Sequence, residues 1–155
     1  MATLFLLPNQ IAEGDVQDTI PATTLAVLRQ TRYFLAENAK SARAYLKAAS
    51  HPIALSELHI EEIGHNPKAE KIDQWLQPLT ENNQDIAIVS ESGCPGIADP
   101  GANIVARAQE LGLTVRPLVG PSSILLALMA SGLDGQHFRL SLIHISEPTR
   151  PEPIS

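Results

Sequence analysis

Short apolar runs alternate with longer amphipathic segments along most of this chain. Several of the apolar runs are continuous rather than alternating with polar residues. This pattern is typical of strands that are buried on both faces of a parallel sheet. We therefore predict strands at residues 3–7, 33–36, 85–90 and 114–119, and a weaker run predicts another at 53–58.

Between these runs, apolar residues recur at helical spacing and capping residues mark the segment ends. Pro21 lies near the start of one predicted helix, and Ser41 is the predicted N-cap of the next. Asp99 and Pro100 are the predicted N-cap and first-turn proline of a helix that ends at Gly112. The predicted helices span residues 19–30, 42–49, 67–79, 101–111 and 122–130.

Strands that alternate with helices predict an α/β fold, a Rossmann-like and mostly parallel sheet of about five strands with helices on both faces. Ligands of such sheets bind beyond the carboxyl ends of the strands. The segment SESGCPGIADPG, residues 90–101, follows a predicted strand. Its glycines allow close approach of the backbone to a ligand, and its prolines stiffen the loop. We predict a ligand site there, although such residues also occur in loops that only turn the chain.

The composition is that of a globular protein and not of a disordered one. The 155 residues are enough for one domain, 44% of them are hydrophobic and 18% are charged. The formal net charge of −6 argues against a protein that is held to nucleic acid mainly by charge. It does not exclude RNA as a substrate that is recognised by its shape.

Cysteine usage and the N-terminal residues both bear on localisation. Cys94 is the one cysteine, so no internal disulfide forms, which favours a reducing compartment. The N-terminal residues are apolar but have no basic segment before Pro8, and no apolar run reaches the ~18 residues that a membrane span needs. We expect a soluble cytoplasmic protein with no membrane partner.

Several familiar sites are excluded by spacing. The glycines at 93, 96 and 101 do not form a dinucleotide-binding or phosphate-binding loop. Cys94 has no neighbouring base and is interpreted as a packing residue. Lys40, Arg43 and Lys47 share one helical face, for which solvation is favoured over phosphate contact. No metal site is predicted, and the histidines are interpreted as solvated residues. They are His51, His59, His65, His137 and His144.

Three motifs carry a resemblance to a known family. They are LFLLPNQIAEGD (residues 4–15), FLAENAKSARAYLK (34–47) and the segment from VSESGCPGIADPG to LDGQHF (89–138). In order and spacing they resemble the tetrapyrrole methylases over residues 3–139. The nearest branch contains the ribosomal RNA small subunit methyltransferase I, a cytidine 2′-O-methyltransferase. The loop SESGCPG departs from the commoner Ser-Asp-Ala-Gly-Thr-Pro-Gly of that branch and looks more like a less common subgroup.

The resemblance implies S-adenosyl-L-methionine as cofactor, bound between two α/β domains, and a homodimer. It implies ribosomal RNA or the small ribosomal subunit as substrate. Glu37, at the end of a predicted strand, is the candidate general base. Asp99 is a possible acceptor for the cofactor, but its reading as a helix cap is favoured. The loops that the resemblance assigns to the cofactor include Gly120 and Pro121. The predicted cofactor-binding residues are Pro8, Glu91, Ser92, Gly93, Cys94, Gly96, Ser122 and Ser123.

We therefore expect the N-terminal domain, residues 1–139, of an S-adenosylmethionine-dependent methyltransferase for a cytidine of small-subunit ribosomal RNA. The alternatives are a methylase of a small macrocyclic or peptide substrate and a catalytically inactive binding domain. Residues 140–155 look like a translated sequencing adapter, and we expect them to be an unpacked, disordered artefact that replaces a second domain. Such a truncated chain is expected to be inactive.

Overall fold

The computed structural model describes residues 1–141 and confirms the predicted α/β fold. Five parallel strands form one sheet in the order β3-β2-β4-β1-β5, so β4 and β1 lie side by side near its centre. The strands predicted at 3–7, 33–36, 85–90 and 114–119 are confirmed within two residues. The strands are β1 Thr3–Leu7, β2 Tyr33–Ala36, β3 His59–Glu62, β4 Ile86–Val89 and β5 Thr114–Pro117.

Helices connect consecutive strands and follow the last of them. The chain divides into two compact units. The first, Met1–Ser123, contains the whole sheet, and the second begins at Ile124. No helix of residues 1–141 is long and apolar enough to cross a membrane. The helices are α1 Val16–Thr19, α2 Ala22–Gln30, α3 Ala39–Ala48, α4 Ala69–Trp75, α5 Gln77–Glu81, α6 Gly101–Glu110 and α7 Ser123–Ser131.

Two apolar layers hold the first unit together, one on each face of the sheet. Helices α1, α2 and α3 pack on one face, with Leu28 and Leu46 fully buried among strand residues. Helices α4, α5 and α6 pack on the other face around Leu4, Leu76 and Ile104. Each such side chain contributes about 1.5–3 kcal/mol by leaving water. All four residues of β4 are buried, which explains its continuous apolar run.

The predicted helix at residues 19–30 is wrong in its first part. Two helices occupy this region, and α1 begins after Asp15, whose side chain accepts a hydrogen bond from the amide of Gln17. Pro21 has no amide hydrogen with which to continue α1. The chain is therefore extended at Ile20 and Pro21, and α2 begins at Ala22 with Pro21 as its N-cap.

Asn38, and not Ser41, is the N-cap of α3. Its backbone is extended, and its side-chain oxygen accepts a hydrogen bond of 3.0 Å from the amide of Ser41. Ser41 is therefore already inside the helix. The three basic residues of this helix, Lys40, Arg43 and Lys47, are exposed, in agreement with a solvated face.

The predicted strand at 53–58 is also wrong. This segment contains a short 3-10 helix, Leu55–Glu57, and the strand follows as β3. Because β3 lies at the edge of the sheet, its side chains are mostly exposed and polar, and they give no apolar run. The predicted helix at 67–79 is divided at Leu76 into α4 and α5.

The observed ends of the last two helices lie within one residue of the predicted ends. Gly112 has a φ of +70° directly after the C-cap of α6, as a helix-ending glycine does. Helix α7 begins one residue later than predicted. Of the predicted artefactual tail, residues 140 and 141 are exposed and belong to no helix or strand, and residues 142–155 lie outside the described residues.

Candidate functional site

The candidate site lies at the carboxyl ends of β1 and β4, two neighbouring strands of the sheet, and we call this place the crevice. After β1 the chain leaves toward α1 and α2 on one face, and after β4 it leaves toward α6 on the other face. Neighbouring parallel strands whose connections take opposite faces form the usual ligand site of an open α/β sheet. The loops that follow these two strands therefore frame the candidate site.

Asn9 joins the two loops. Its side chain is only 6% exposed, and its amide nitrogen donates hydrogen bonds to the carbonyls of Ser90 at 3.1 Å and Glu91 at 3.3 Å. Its backbone exchanges a pair of hydrogen bonds with Gly93, at 3.0 and 3.2 Å. Ser90 adds a bond from its hydroxyl to the carbonyl of Gly93. The sequence pattern did not single out Asn9, although a buried polar residue directly after an apolar strand is a signal for it.

The loop after β5 also contacts the place where Asn9 joins the loops after β1 and β4, which we call the junction. A Cβ atom at Gly120 would overlap the ring of Pro8, so only glycine permits this approach. The carbonyl of Val119 accepts a hydrogen bond of 2.7 Å from the hydroxyl of Thr24, a buried residue of α2. The thiol of Cys94 lies 3.5 Å from the carbonyl oxygen of Pro121. Three loops that are distant in sequence thus form one surface.

Burial raises the pKa of the Cys94 thiol. The thiol therefore stays protonated at neutral pH, which is the state of a packing residue and not of a nucleophile. Within residues 1–141, no group of three or more His, Cys, Asp or Glu side chains is placed to hold a metal ion. The site is therefore built from backbone groups, hydroxyls and carboxylates.

Tyr45 of α3 holds the start of the loop after β1 in place. Its hydroxyl is buried and donates a hydrogen bond of 2.7 Å to the carbonyl of Pro8. Burial raises the pKa of Tyr45 well above its usual range, so the hydroxyl remains a donor. The bond fixes the point at which β1 ends and the loop begins.

We expect Tyr45→Phe to lower the free energy of unfolding by about 1–2 kcal/mol, because the buried Pro8 carbonyl loses its donor. Urea denaturation measures this change. Tyr33→Phe is the matched control, since the Tyr33 hydroxyl makes no hydrogen bond within residues 1–141. Equal stability of the two variants would show that Tyr45 does not support the loop.

Glycine conformations shape the loop after β4. Gly93 is buried, has a φ of +70°, and lies against the carbonyl of Pro121. Gly96 has a φ of +86°, and the space that a side chain would occupy is open. Positive φ, and not contact with protein atoms, is therefore what requires glycine at 96. The open space leaves room for a ligand at this point of the loop.

Asp99 is not the N-cap of α6, because the helix begins at Gly101 and Pro100 occupies the cap position. Its carboxylate instead ties the loop to the helix. One oxygen accepts hydrogen bonds from the amide of Gly96 at 3.1 Å and from the amide of Gly101 at 2.8 Å. The prediction of Asp99 as the helix cap is therefore wrong in position, although its side chain accepts a hydrogen bond from the amide of the first helical residue.

The remaining predicted cofactor residues lie around this junction with different exposure. Glu91 and Ser92 are exposed, and the hydroxyl of Ser41 donates to Glu91 at 3.3 Å. Ser122 is half-buried, and its Cα atom lies 3.9 Å from the position that a Cβ of Gly93 would take. Ser123 is exposed as the first residue of α7. The first unit therefore brings together Pro8, Gly93, Cys94 and Ser122 through the loop after β5.

Glu37, the candidate base, follows β2 at the same edge and pairs with a histidine. Its carboxylate lies 2.8 Å from Nδ1 of His65, and the two side chains are 13% and 79% exposed. Burial raises the pKa of Glu37, the negative charges of Asp99 and Glu91 raise it further, and His65 opposes the shift. The interpretation of His65 as merely solvated missed this pair. The sequence carried no signal for the pair, because β3 itself was not predicted.

Comparison with known proteins shows the family of this chain. The family described as Tetrapyrrole (Corrin/Porphyrin) Methylases matches residues 15–154. Curated relatives named "Ribosomal RNA small subunit methyltransferase I" are 31% identical in Neisseria meningitidis serogroup B, 34% in Escherichia coli O157:H7 and 31% in Bacillus subtilis. The matches cover 87–89% of this chain and 44% of each relative, so the chain spans less than half of their length.

A solved structure supports the fold. The crystal structure of a conserved hypothetical protein from Aeropyrum pernix K1 superimposes with a TM-score of 0.59 at 20% identity, over 89% of this chain and 45% of that one. The resemblance that three sequence motifs suggested is confirmed by the family match and by the curated relatives. This chain belongs to the tetrapyrrole methylase family.

Proposed function

We propose that this chain forms the S-adenosylmethionine-binding part of a methyltransferase that acts on RNA of the small ribosomal subunit. The observation that carries the proposal is the junction at the carboxyl ends of β1 and β4, where Asn9 joins the two loops, in a chain of this family. Curated relatives that share about a third of its residues carry the name of such an enzyme. That agreement supports the substrate class.

The residues at the crevice fit the chemistry of this cofactor. S-adenosylmethionine presents an ammonium group, ribose hydroxyls and an adenine edge. Glu91 is an exposed carboxylate for the ammonium or a hydroxyl, and the loop backbone around Gly93 and Gly96 offers amides and carbonyls. The open space at Gly96 admits a ligand where a side chain would otherwise lie. Pro8 and Ser122 complete the surface that we assign to the cofactor.

When bound, the cofactor supplies a methyl group on a positively charged sulfur, which is a good leaving group. The protein's main task is then to position two reactants in line and to keep water out. Rigid loops do this best. Tyr45, Asn9 and Asp99 each fix one point of the loops that frame the crevice. These residues are therefore positioning residues in the proposed enzyme.

We further propose that the methyl acceptor is the 2′-oxygen of a cytidine, and that the enzyme is a cytoplasmic homodimer. In this proposal a second domain completes the cleft in the full-length protein, by which we mean the uninterrupted product of the gene. Residues 1–139 then form the first domain, and residues 140–155 are foreign to it. The match of this chain to only 44% of each relative supports a second domain in the full-length protein.

One observation favours a second candidate. Three carboxylates, Glu37, Glu91 and Asp99, interact electrostatically at the edge of the crevice. Such a negative surface repels the phosphates of RNA and attracts cationic groups. A small macrocyclic or peptide substrate with positive charge would suit this edge. The exposed basic face of α3, with Lys40, Arg43 and Lys47, is the feature of the first unit that suits RNA.

Methyl transfer to isolated ribosomal subunits tests the proposal. We expect the full-length protein and radiolabelled S-adenosylmethionine to label the RNA of unmodified small subunits, but not of large subunits, which are the control. Nuclease digestion and mass spectrometry should locate one methyl group on the ribose of a cytidine. Labelling of peptides or small macrocycles in the absence of labelled RNA would contradict RNA as the substrate.

A further inference from the structure

We infer that His65 is the group that accepts the proton of the methyl acceptor, and that Glu37 is a positioning residue that orients its ring. This inference rests on the proposed function, in which the acceptor is a hydroxyl group. It assigns Glu37 a different role from that of a base acting directly. The evidence is the position, exposure and hydrogen bonding of the two side chains.

Both residues lie at the edge that carries the crevice. Glu37 follows β2, and His65 follows Ile63 and Gly64 at the end of β3. The amide of Glu37 donates to the carbonyl of Val89, the last residue of β4, at 3.4 Å. The pair is therefore adjacent to the loop that begins at Ser90. Across β4 from it lies β1, with the Asn9 junction.

The pair has the geometry of a carboxylate that orients an imidazole. An ionised carboxylate only accepts hydrogen bonds, so Nδ1 of His65 is the donor across the 2.8 Å contact. The proton on Nδ1 leaves a lone pair on Nε2, which makes no hydrogen bond within residues 1–141. Since the His65 side chain is 79% exposed and that of Glu37 is 13% exposed, a substrate hydroxyl reaches the imidazole and not the carboxylate.

The surrounding charges suit this role. Asp99 and Glu91 are the other charged side chains that act on Glu37, and both are acidic. Ser41 holds Glu91 through a hydrogen bond of 3.3 Å. When the imidazole gains a proton it becomes positively charged, and the carboxylate of Glu37, 2.8 Å from Nδ1, is the negative charge that pairs with it.

The step balances as follows. The acceptor oxygen forms a bond to the methyl carbon while the carbon–sulfur bond breaks, and its electron pair remains on sulfur. The hydroxyl proton moves to Nε2 of His65. The products are a methyl ether, a neutral thioether and an imidazolium paired with Glu37. No oxidant, metal or further reactant is needed. A positioned base of this kind contributes about 10²–10⁴-fold to the rate.

The test compares His65→Gln with the control His59→Gln in the full-length protein. His59 is exposed at the start of β3, away from the crevice. We expect His65→Gln to lower kcat by a factor of about 100 or more with an unchanged Kd for S-adenosylmethionine. A kcat within threefold of the wild type would overturn the inference.

A second measurement examines the pair in the present chain without any activity assay. The ¹⁵N chemical shifts of the His65 ring should show a proton on Nδ1 at neutral pH, and Glu37→Ala should remove this preference. A ring that is unchanged in Glu37→Ala would overturn the orienting role of Glu37. Absence of methyl transfer by the wild type would contradict the proposed function instead, while these shifts would still decide whether the pair forms.

Discussion

Replacing Asn9 with leucine is expected to abolish S-adenosylmethionine binding by the full-length protein and to lower its free energy of unfolding by about 1–3 kcal/mol. Leucine has a similar size but cannot donate to the carbonyls of Ser90 and Glu91. The Ser90 carbonyl then stays buried without its donor. The loops after β1 and β4 lose their connection, so the crevice loses its shape. Urea denaturation and calorimetric titration measure the two effects.

Asn103→Leu is the control for this substitution. Asn103 is exposed on α6, and a change there is expected to alter the free energy of unfolding by less than about 0.5 kcal/mol. Binding should be that of the wild type. If Asn9→Leu bound the cofactor as tightly as Asn103→Leu, the junction between the two loops would not be part of the site.

Gly96→Val is expected to abolish cofactor binding with a modest loss of stability. The φ of +86° at Gly96 is strained for a β-branched residue by about 1–3 kcal/mol. Apart from the chain neighbours of Gly96, no atom of residues 1–141 lies within 4 Å of the added Cβ, so the fold tolerates the side chain. The same open space is where we place the ligand, and valine would fill it. The melting temperature with and without S-adenosylmethionine reports both effects.

Gly112→Val separates strain from ligand contact. Gly112 has a similar φ of +70° and equally open surroundings, but it lies after α6 and away from the crevice. Both variants should melt below the wild type, and only Gly96→Val should lose the ligand-induced rise in melting temperature. A normal rise in both variants would show that the loop after β4 serves as a turn and does not contact the cofactor.

The sequence predicts four strands of the sheet, including the edge strand β5, but not the edge strand β3. Strands β1, β2 and β4 are buried by helices, so their apolar runs are visible without the structure. The edge strand β3 has no such run, because solvent covers most of its side chains. Helix starts were misplaced where a neighbouring residue acts as the cap, as Asn38 does in place of Ser41.

The candidate site, too, is predictable from the sequence only in part. Loops beyond the carboxyl ends of the strands are predictable, because the position of ligands in α/β sheets is general. The contacts that fix these loops are not, since Asn9 meets Ser90 across 81 residues and Tyr45 meets Pro8 across 37. The pairing of Glu37 with His65 likewise depends on β2 and β3 being neighbours in the sheet. Only the folded chain brings such residues together.

Amide chemical shifts of the present chain, recorded while S-adenosylmethionine is added to millimolar concentration, test the location of the site most directly. Binding is expected to be weak, because we propose that a second domain supplies the rest of the cleft. Shift changes should cluster in residues 8–10, 90–96 and 118–122. The amino-terminal edge of the sheet, near His59, Gln77 and Asn82, should be unaffected and is the internal control. Changes confined to that opposite edge, or no changes at all, would contradict a cofactor site between β1 and β4.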